Sequence, residues 1–111
     1  MNWQELKTET ELEDIKTLSK THPVMIFKHS TRCSISAAAL DRLERNWKEA
    51  EMKNVQPYYL DLISHRPISN KIQNDFHVQH ESPQVLIIRD GKCIYSASHI
   101  DINYKEIKEW V

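Results

Sequence analysis

Glycine is nearly missing from this chain: among 111 residues only Gly91 is found. Cysteine is scarce too, with Cys33 and Cys93 sixty residues apart. Two such distant cysteines do not make a disulfide framework, and the length is sufficient for a core without staples. Charge of one sign is not in excess, since 15 basic and 16 acidic residues leave a formal net charge of −1. No overall field would draw the protein to nucleic acid or to an anionic membrane, and the lysines and arginines are scattered rather than blocked. The start, Met1-Asn2-Trp3-Gln4-Glu5-Leu6-Lys7, lacks an apolar h-region and does not read as a signal peptide. No apolar run approaches the roughly 20 residues that span a bilayer. These absences predict a cytoplasmic protein whose thiols are kept reduced. Repeats, low-complexity tracts and linkers are also missing, so residues 1–111 read as one domain. The only close histidine pair, His77-x-x-His80, has no matching Cys pair or His-Glu motif, and no metal site is expected.

What is present reads as alternating helices and strands. Thr8-x-x-Glu11 and Thr10-x-x-Glu13 are two possible capping boxes for a first helix whose apolar face is Leu12, Ile15 and Leu18. His22-Pro23 ends it, because the residue before proline avoids the α region. A strand follows over Val24 to Lys28. A second helix is predicted from Ser36 to Lys53, with Ala37, Leu40, Leu43, Trp47 and Ala50 as its core face. Val55 to Leu62 reads as a buried strand. Pro67 suits a first helical turn, and Ile68, Ile72 and Phe76 mark a third helix. Strands over Gln84–Arg89 and Lys92–Ser98 flank Asp90-Gly91, a strong hairpin signal in which glycine supplies positive φ. A last helix begins near Asn103, with Ile107 and Trp110 facing inward. The order α-β-α-β-α-β-β-α predicts a four-stranded mixed sheet flanked by helices. The β-α-β crossover makes its strands parallel, and the hairpin makes the last two antiparallel.

Cys33 stands where the first strand gives way to the second helix. Backbone N–H groups at a helix start lack intrahelical partners, and the helix dipole is positive there. Both favour the thiolate, which is the reactive species. Three residues on stands Ser36, so the motif is C-x-x-S, a one-thiol site. Ser36 could donate a hydrogen bond to the thiolate or serve in helix capping. Arg32 adds a nearby positive charge, and Thr31 belongs to the same tuning group. His29 lies four residues before the cysteine and could approach it. Cys93 should lie opposite Ile88 in the hairpin, on the order of 16 Å from Pro83 at roughly 3.3 Å per residue. A disulfide needs Cα atoms within about 7 Å, so Cys93 reads as a packing residue rather than a resolving thiol.

The element order is similar to the thioredoxin arrangement. That likeness implies a proline, usually cis, at the start of the third core strand and facing the reactive cysteine. Pro83 stands there, and Ser82 would present its backbone polar groups beside the thiol. The run Phe27-Lys28-His29-Ser30-Thr31-Arg32-Cys33-Ser34-Ile35-Ser36 resembles the monothiol bacilliredoxins, as do His80-Glu81-Ser82-Pro83-Gln84 and Ser98-His99. The resemblance covers nearly the whole chain. It implies a thioredoxin-like fold acting on mixed disulfides between proteins and bacillithiol, a cysteinyl sugar thiol. Cys33 would take up bacillithiol, with Ser34, Ser82 and Pro83 contributing to substrate binding. Bacillithiol would be a co-substrate and no cofactor would be tightly bound. Its partners would be bacillithiolated proteins. Ser34 departs from the family pattern, which usually has proline directly after the reactive cysteine. A reading of a different class keeps the same thiol: a redox-responsive binding module that captures partners covalently at Cys33 without turnover.

Overall fold

The computed structural model describes residues 1–111, and its order is β1 (Gln4–Glu5), α1 (Glu9–Leu18), β2 (Val24–His29), α2 (Ser34–Asn46), β3 (Gln56–Asp61), α3 (Arg66–Phe76), β4 (Gln84–Arg89), β5 (Lys92–Ser98) and α4 (Tyr104–Lys108). Short 3-10 turns occupy Glu49–Glu51 and His99–Asp101. The sheet has five strands in the order β1-β3-β2-β4-β5, not the four predicted. The additional strand, β1, has two exposed polar residues, too few to show an alternating pattern. It pairs in parallel with β3, Gln4 beside Tyr58 and Glu5 beside Tyr59. Leu6, wholly buried, donates its N–H to the Tyr59 carbonyl at 2.8 Å.

The parallel β2–β3 pair, the antiparallel β2–β4 pair and the β4–β5 hairpin follow the expected topology. Two apolar layers cover the sheet. Val24, Ile26, Leu60, Leu86 and Ile88 pack with Leu12 and Ile15 of α1 and Ile68, Ile72 and Phe76 of α3. The alternate residues Met25, Phe27, Val85 and Ile87 pack with Ala39 and Leu43 of α2 and Ile107 of α4. Strands buried on both faces read as continuous apolar runs for this reason. Each fully buried Ile or Leu contributes roughly 1.5–3 kcal/mol.

Tertiary contacts overrode sequence pattern at several places. Of the two possible capping boxes, Thr8 with Glu11 forms the N-terminal cap of α1. Helix α2 starts directly after Cys33, and this sets its phase: Ser36, Ala39 and Leu43 face inward while Ala37 is exposed. It ends at Asn46 rather than Lys53, because Trp47 turns extended and sets its ring edge-on to Tyr104, 5.9 Å between centroids. The Tyr104 hydroxyl also accepts the Lys48 N–H. Ala50 is exposed as a result. Trp110, expected inside, is 43% exposed and stacks on Tyr95 at the surface.

At the hairpin, Asp90 and Gly91 both have positive φ, 52° and 72°, as a two-residue turn of this hand requires. The tip is latched to the end of α1. Ser19 accepts the Asp90 N–H with its carbonyl and the Gly91 N–H with its hydroxyl, both at 2.9 Å. Cys93 lies opposite Ile88 as expected, and one extra residue then shifts the register so that Ile87 faces Tyr95. No helix is long and apolar enough to cross a membrane.

Candidate active site

Cys33 is the N-cap residue of α2, with extended backbone (φ −112°, ψ 120°) and a half-buried side chain. An N-cap side chain ordinarily offers an oxygen to the free N–H groups of the first turn. Here that position carries sulfur, and no side-chain hydrogen bond caps the helix. The first intrahelical bond is Ala37 N–H to the Cys33 carbonyl, at 3.0 Å. The earlier N–H groups are therefore free to meet a thiolate, and the dipole of a 13-residue helix adds to them. Ser34, exposed at the first helical position, contributes an N–H that the family's usual proline would lack.

The approach to the cysteine is a tight turn. Cys33 N–H donates to the Ser30 carbonyl at 3.1 Å, which leaves Thr31 and Arg32 exposed at its tip. Arg32 makes no ion pair and Thr31 no side-chain hydrogen bond; both stand in solvent beside the thiol. Ser36 is wholly buried below the turn. Its Oγ accepts the Ser30 N–H at 3.1 Å and lies 2.7 Å from His29 Nδ1. The structure thus joins Ser36 to Ser30 and His29, with no hydrogen bond to Cys33. Neither expected role is displayed: no side chain caps α2, and Ser36 instead clamps the turn before the helix to the end of β2. His29 packs between Phe27 and Tyr59 rings. Burial pushes its imidazole below the usual histidine range, against the pull of Asp61 and Glu44.

The strand register brings the second segment to the same end of the sheet. Lys28 pairs with Gln84, so the chain just before Gln84 lies at the end of β2 that leads to Cys33. The Ser82–Pro83 peptide is cis, as the fold likeness implied. The Ser82 hydroxyl is buried and has no hydrogen-bond partner. His99 has left-handed backbone and donates its N–H to the Pro83 carbonyl at 3.0 Å. Ser98 Oγ donates to the Glu81 carboxylate. Ile35, Ile63 and Ile100 are exposed just beyond Cys33, β3 and β5 respectively, all at this end of the sheet.

Cys93 is excluded from this group by its place on the strand. It packs beside the α1–α3 core, and its Sγ donates to the Tyr95 carbonyl at 3.3 Å. Burial raises its pKa, which keeps it a thiol. Two residues missed at the sequence level are Lys28 and His80. Lys28 shares a face with Val24 and Ile26 yet is fully buried, and its Nζ lies 3.4 Å from His80 Nδ1. Burial, with the Arg66 charge nearby, pulls Lys28 down to about 8. The available signal was a lysine in phase with the core residues of a buried strand.

Comparison with known proteins agrees with this geometry. A structure described as a candidate oxidoreductase with a thioredoxin fold is 28% identical, with a TM-score of 0.80 over 96% of this chain and 91% of that one. The thioredoxin of Fasciola hepatica matches at 18% identity and a TM-score of 0.74, covering 96% and 94%. That of Malassezia sympodialis matches at 12% and 0.77, covering 98% and 87%. The latter two speak for the fold alone. The family sequence model described as "Monothiol bacilliredoxin BrxC" matches residues 4–107. Family and fold together support a thiol redox function. With the lone N-cap thiol, the cis Ser82–Pro83 peptide and this strand order all in place, the chain belongs to the monothiol bacilliredoxins.

Proposed function

We propose that the protein removes bacillithiol from protein mixed disulfides, with Cys33 as its single exchanging thiol. The observation that carries this reading is the position of Cys33: an accessible sulfur at the N-cap of α2, with first-turn N–H groups uncapped by any side chain. The chemistry is two thiol–disulfide exchanges. In the first, the Cys33 thiolate attacks the bacillithiol sulfur of the modified protein. The new S–S bond joins Cys33 to bacillithiol, and the target protein leaves as a thiolate. In the second, a free bacillithiol thiolate attacks the bacillithiol sulfur on Cys33. Bacillithiol disulfide departs and Cys33 is regenerated as a thiolate. An external thiol is needed because Ser36 has no sulfur and Cys93 sits at the turn end of β5, the opposite end of the sheet from Cys33.

The exposed isoleucines 35, 63 and 100 suit a protein substrate, since an extended apolar segment could lie across them while its disulfide meets Cys33. Free bacillithiol is the co-substrate, and no bound cofactor is required by either exchange. The test is incubation with a bacillithiolated protein, followed by mass spectrometry. The expected result is release of the target thiol, with transient addition of one bacillithiol to Cys33 and none in Cys33→Ser. Capture of the target protein itself on Cys33 without release would favour the binding-module reading instead.

A further inference from the structure

Lys28 is buried at a cost to the fold. Its side chain is fully buried on a sheet face otherwise built from Val24, Ile26, Leu60 and Leu86, and it joins no ion pair. Taking an ammonium out of water without a carboxylate is unfavourable, and a methionine would bury the same stem without that penalty. Its contact is His80 Nδ1, 3.4 Å away, which Ser69 Oγ also approaches at 3.1 Å. Arg66 lies 3.4 Å from His80 Nε2. Arginine and protonated lysine only donate, and a neutral imidazole has one accepting nitrogen. Arg66 is exposed and can turn to water; Lys28 cannot. The accepting nitrogen therefore faces Lys28. The other charged and titratable groups around this pair are Glu81, beside His80 in the chain, and Cys93 on β5.

His80 begins the segment that ends in Ser82–Pro83. Its N–H donates to Gln73 Oε1 of α3 at 2.6 Å. Gln84 then ties down both neighbours: its amide donates to the Gln79 carbonyl at 3.0 Å, and its Oε1 accepts the Glu81 N–H at 3.4 Å. The two segments that carry the family resemblance, 27–36 and 80–84, thus meet through Lys28 and His80 on the sheet face away from α2. We propose that Lys28 and His80 are positioning residues for the exchange reaction: the buried ammonium holds the His80 ring and so fixes the 79–83 segment that a substrate disulfide must pass to reach Cys33. The inference rests on Cys33 as the exchange site.

The experiment compares two rate constants in Lys28→Met, His80→Phe and His80→Asn. One is exchange of Cys33 with a bacillithiolated protein, which requires the 79–83 segment. The other is alkylation by iodoacetamide, which needs only the sulfur. Lys28→Met and His80→Phe are expected to slow exchange about tenfold, the order of one hydrogen bond lost in the transition state. Alkylation should stay within about twofold, and Lys28→Met should melt no lower than wild type. His80→Asn, whose side-chain amide can keep an acceptor near the Nδ1 position, should recover most of the rate. Unchanged exchange in Lys28→Met overturns the proposal. So does a parallel fall in alkylation, which would place the effect on the sulfur, or a His80→Asn no better than His80→Phe. Should Lys28→Met not fold, the two His80 variants decide alone. A glutathionylated protein is run alongside. If wild type exchanges with it but not with the bacillithiolated one, the substrate reading fails while the variants are still judged on the glutathione disulfide.

Discussion

Replacing Ser36 with alanine separates two roles for one hydroxyl. Ser36 Oγ accepts the Ser30 N–H at 3.1 Å and meets His29 Nδ1 at 2.7 Å, in a site with no exposure. Alanine removes both bonds. The Ser30 N–H is half-buried and can reach water, so its loss costs about 1 kcal/mol. His29 is 6% exposed, and leaving its Nδ1 unpaired costs roughly another 1–2 kcal/mol. Alanine's better helix propensity returns about 0.5 kcal/mol. The net is about 2 kcal/mol. Unfolding entropy of about 2.1 cal/mol/K per residue gives about 0.23 kcal/mol/K for this chain, so Tm should fall by about 9 °C. Calorimetry measures it. Since no hydrogen bond joins Ser36 to Cys33, iodoacetamide alkylation of Cys33 at fixed pH should change less than about twofold. A Tm drop under about 2 °C refutes the clamp. A tenfold slower alkylation would show that the hydroxyl serves the sulfur after all.

Four further outcomes are expected. Lys28 falls to about 8 in the fold from an ordinary 10.5, so the unfolded chain binds the extra proton between those values. Stability should therefore rise with pH from about 8 to 9.5, by no more than roughly 2 kcal/mol, and urea midpoints should lose this rise in Lys28→Met. His29 and His80 are both held below the ordinary 6.5 by burial, so their stabilising contribution is present above that value and lost as pH falls through the folded pKa. Urea midpoints should drop between pH 7 and 5, less steeply in His80→Asn. Thr8→Ala removes the side-chain half of a complete capping box and should cost about 1 kcal/mol by denaturant unfolding, with no effect on exchange rate. Cys93→Ser should leave exchange at Cys33 within about twofold by stopped-flow, because Cys93 lies at the turn end of the hairpin, the opposite end of the sheet from Cys33.

Much of the fold was legible because its central strands β2 and β4 are buried on both faces and its turns are chemically explicit. Asp90-Gly91 located the hairpin and its register, and Pro67, Pro83 and Cys33 marked element starts. The errors have a common origin in contacts between distant residues. β1 is formed by two polar residues that only Tyr58 and Tyr59 make into a strand. α2 stops early because Trp47 prefers the ring of Tyr104, fifty-seven residues later. The same holds at the site. The place of Cys33 at a helix start could be read from its neighbours. The attachment of Ser36 to His29 was harder to read: Leu40, Leu43 and Trp47 of the predicted face do pack on the core, but Ser36 and Ala39, not Ala37, complete it. Lys28 was passed over because a lysine at a strand end normally extends to water; only the arrival of His80 and α3 closes that route.

The latch at Ser19 has a bearing on how this chain tolerates change. A two-residue hairpin tip far from the reacting sulfur is ordinarily the first choice for inserting an epitope or opening a new terminus. Here both amides of that tip are received by one buried serine at the end of α1, so the hairpin is sewn to the helix at its far end. Lengthening it would break both bonds and loosen the tip from α1, while the pairing of β4 with β2 keeps the rest of the ribbon in the sheet. Grafts are better placed on the exposed stretch at Lys53 and Asn54, where no such seam would be cut.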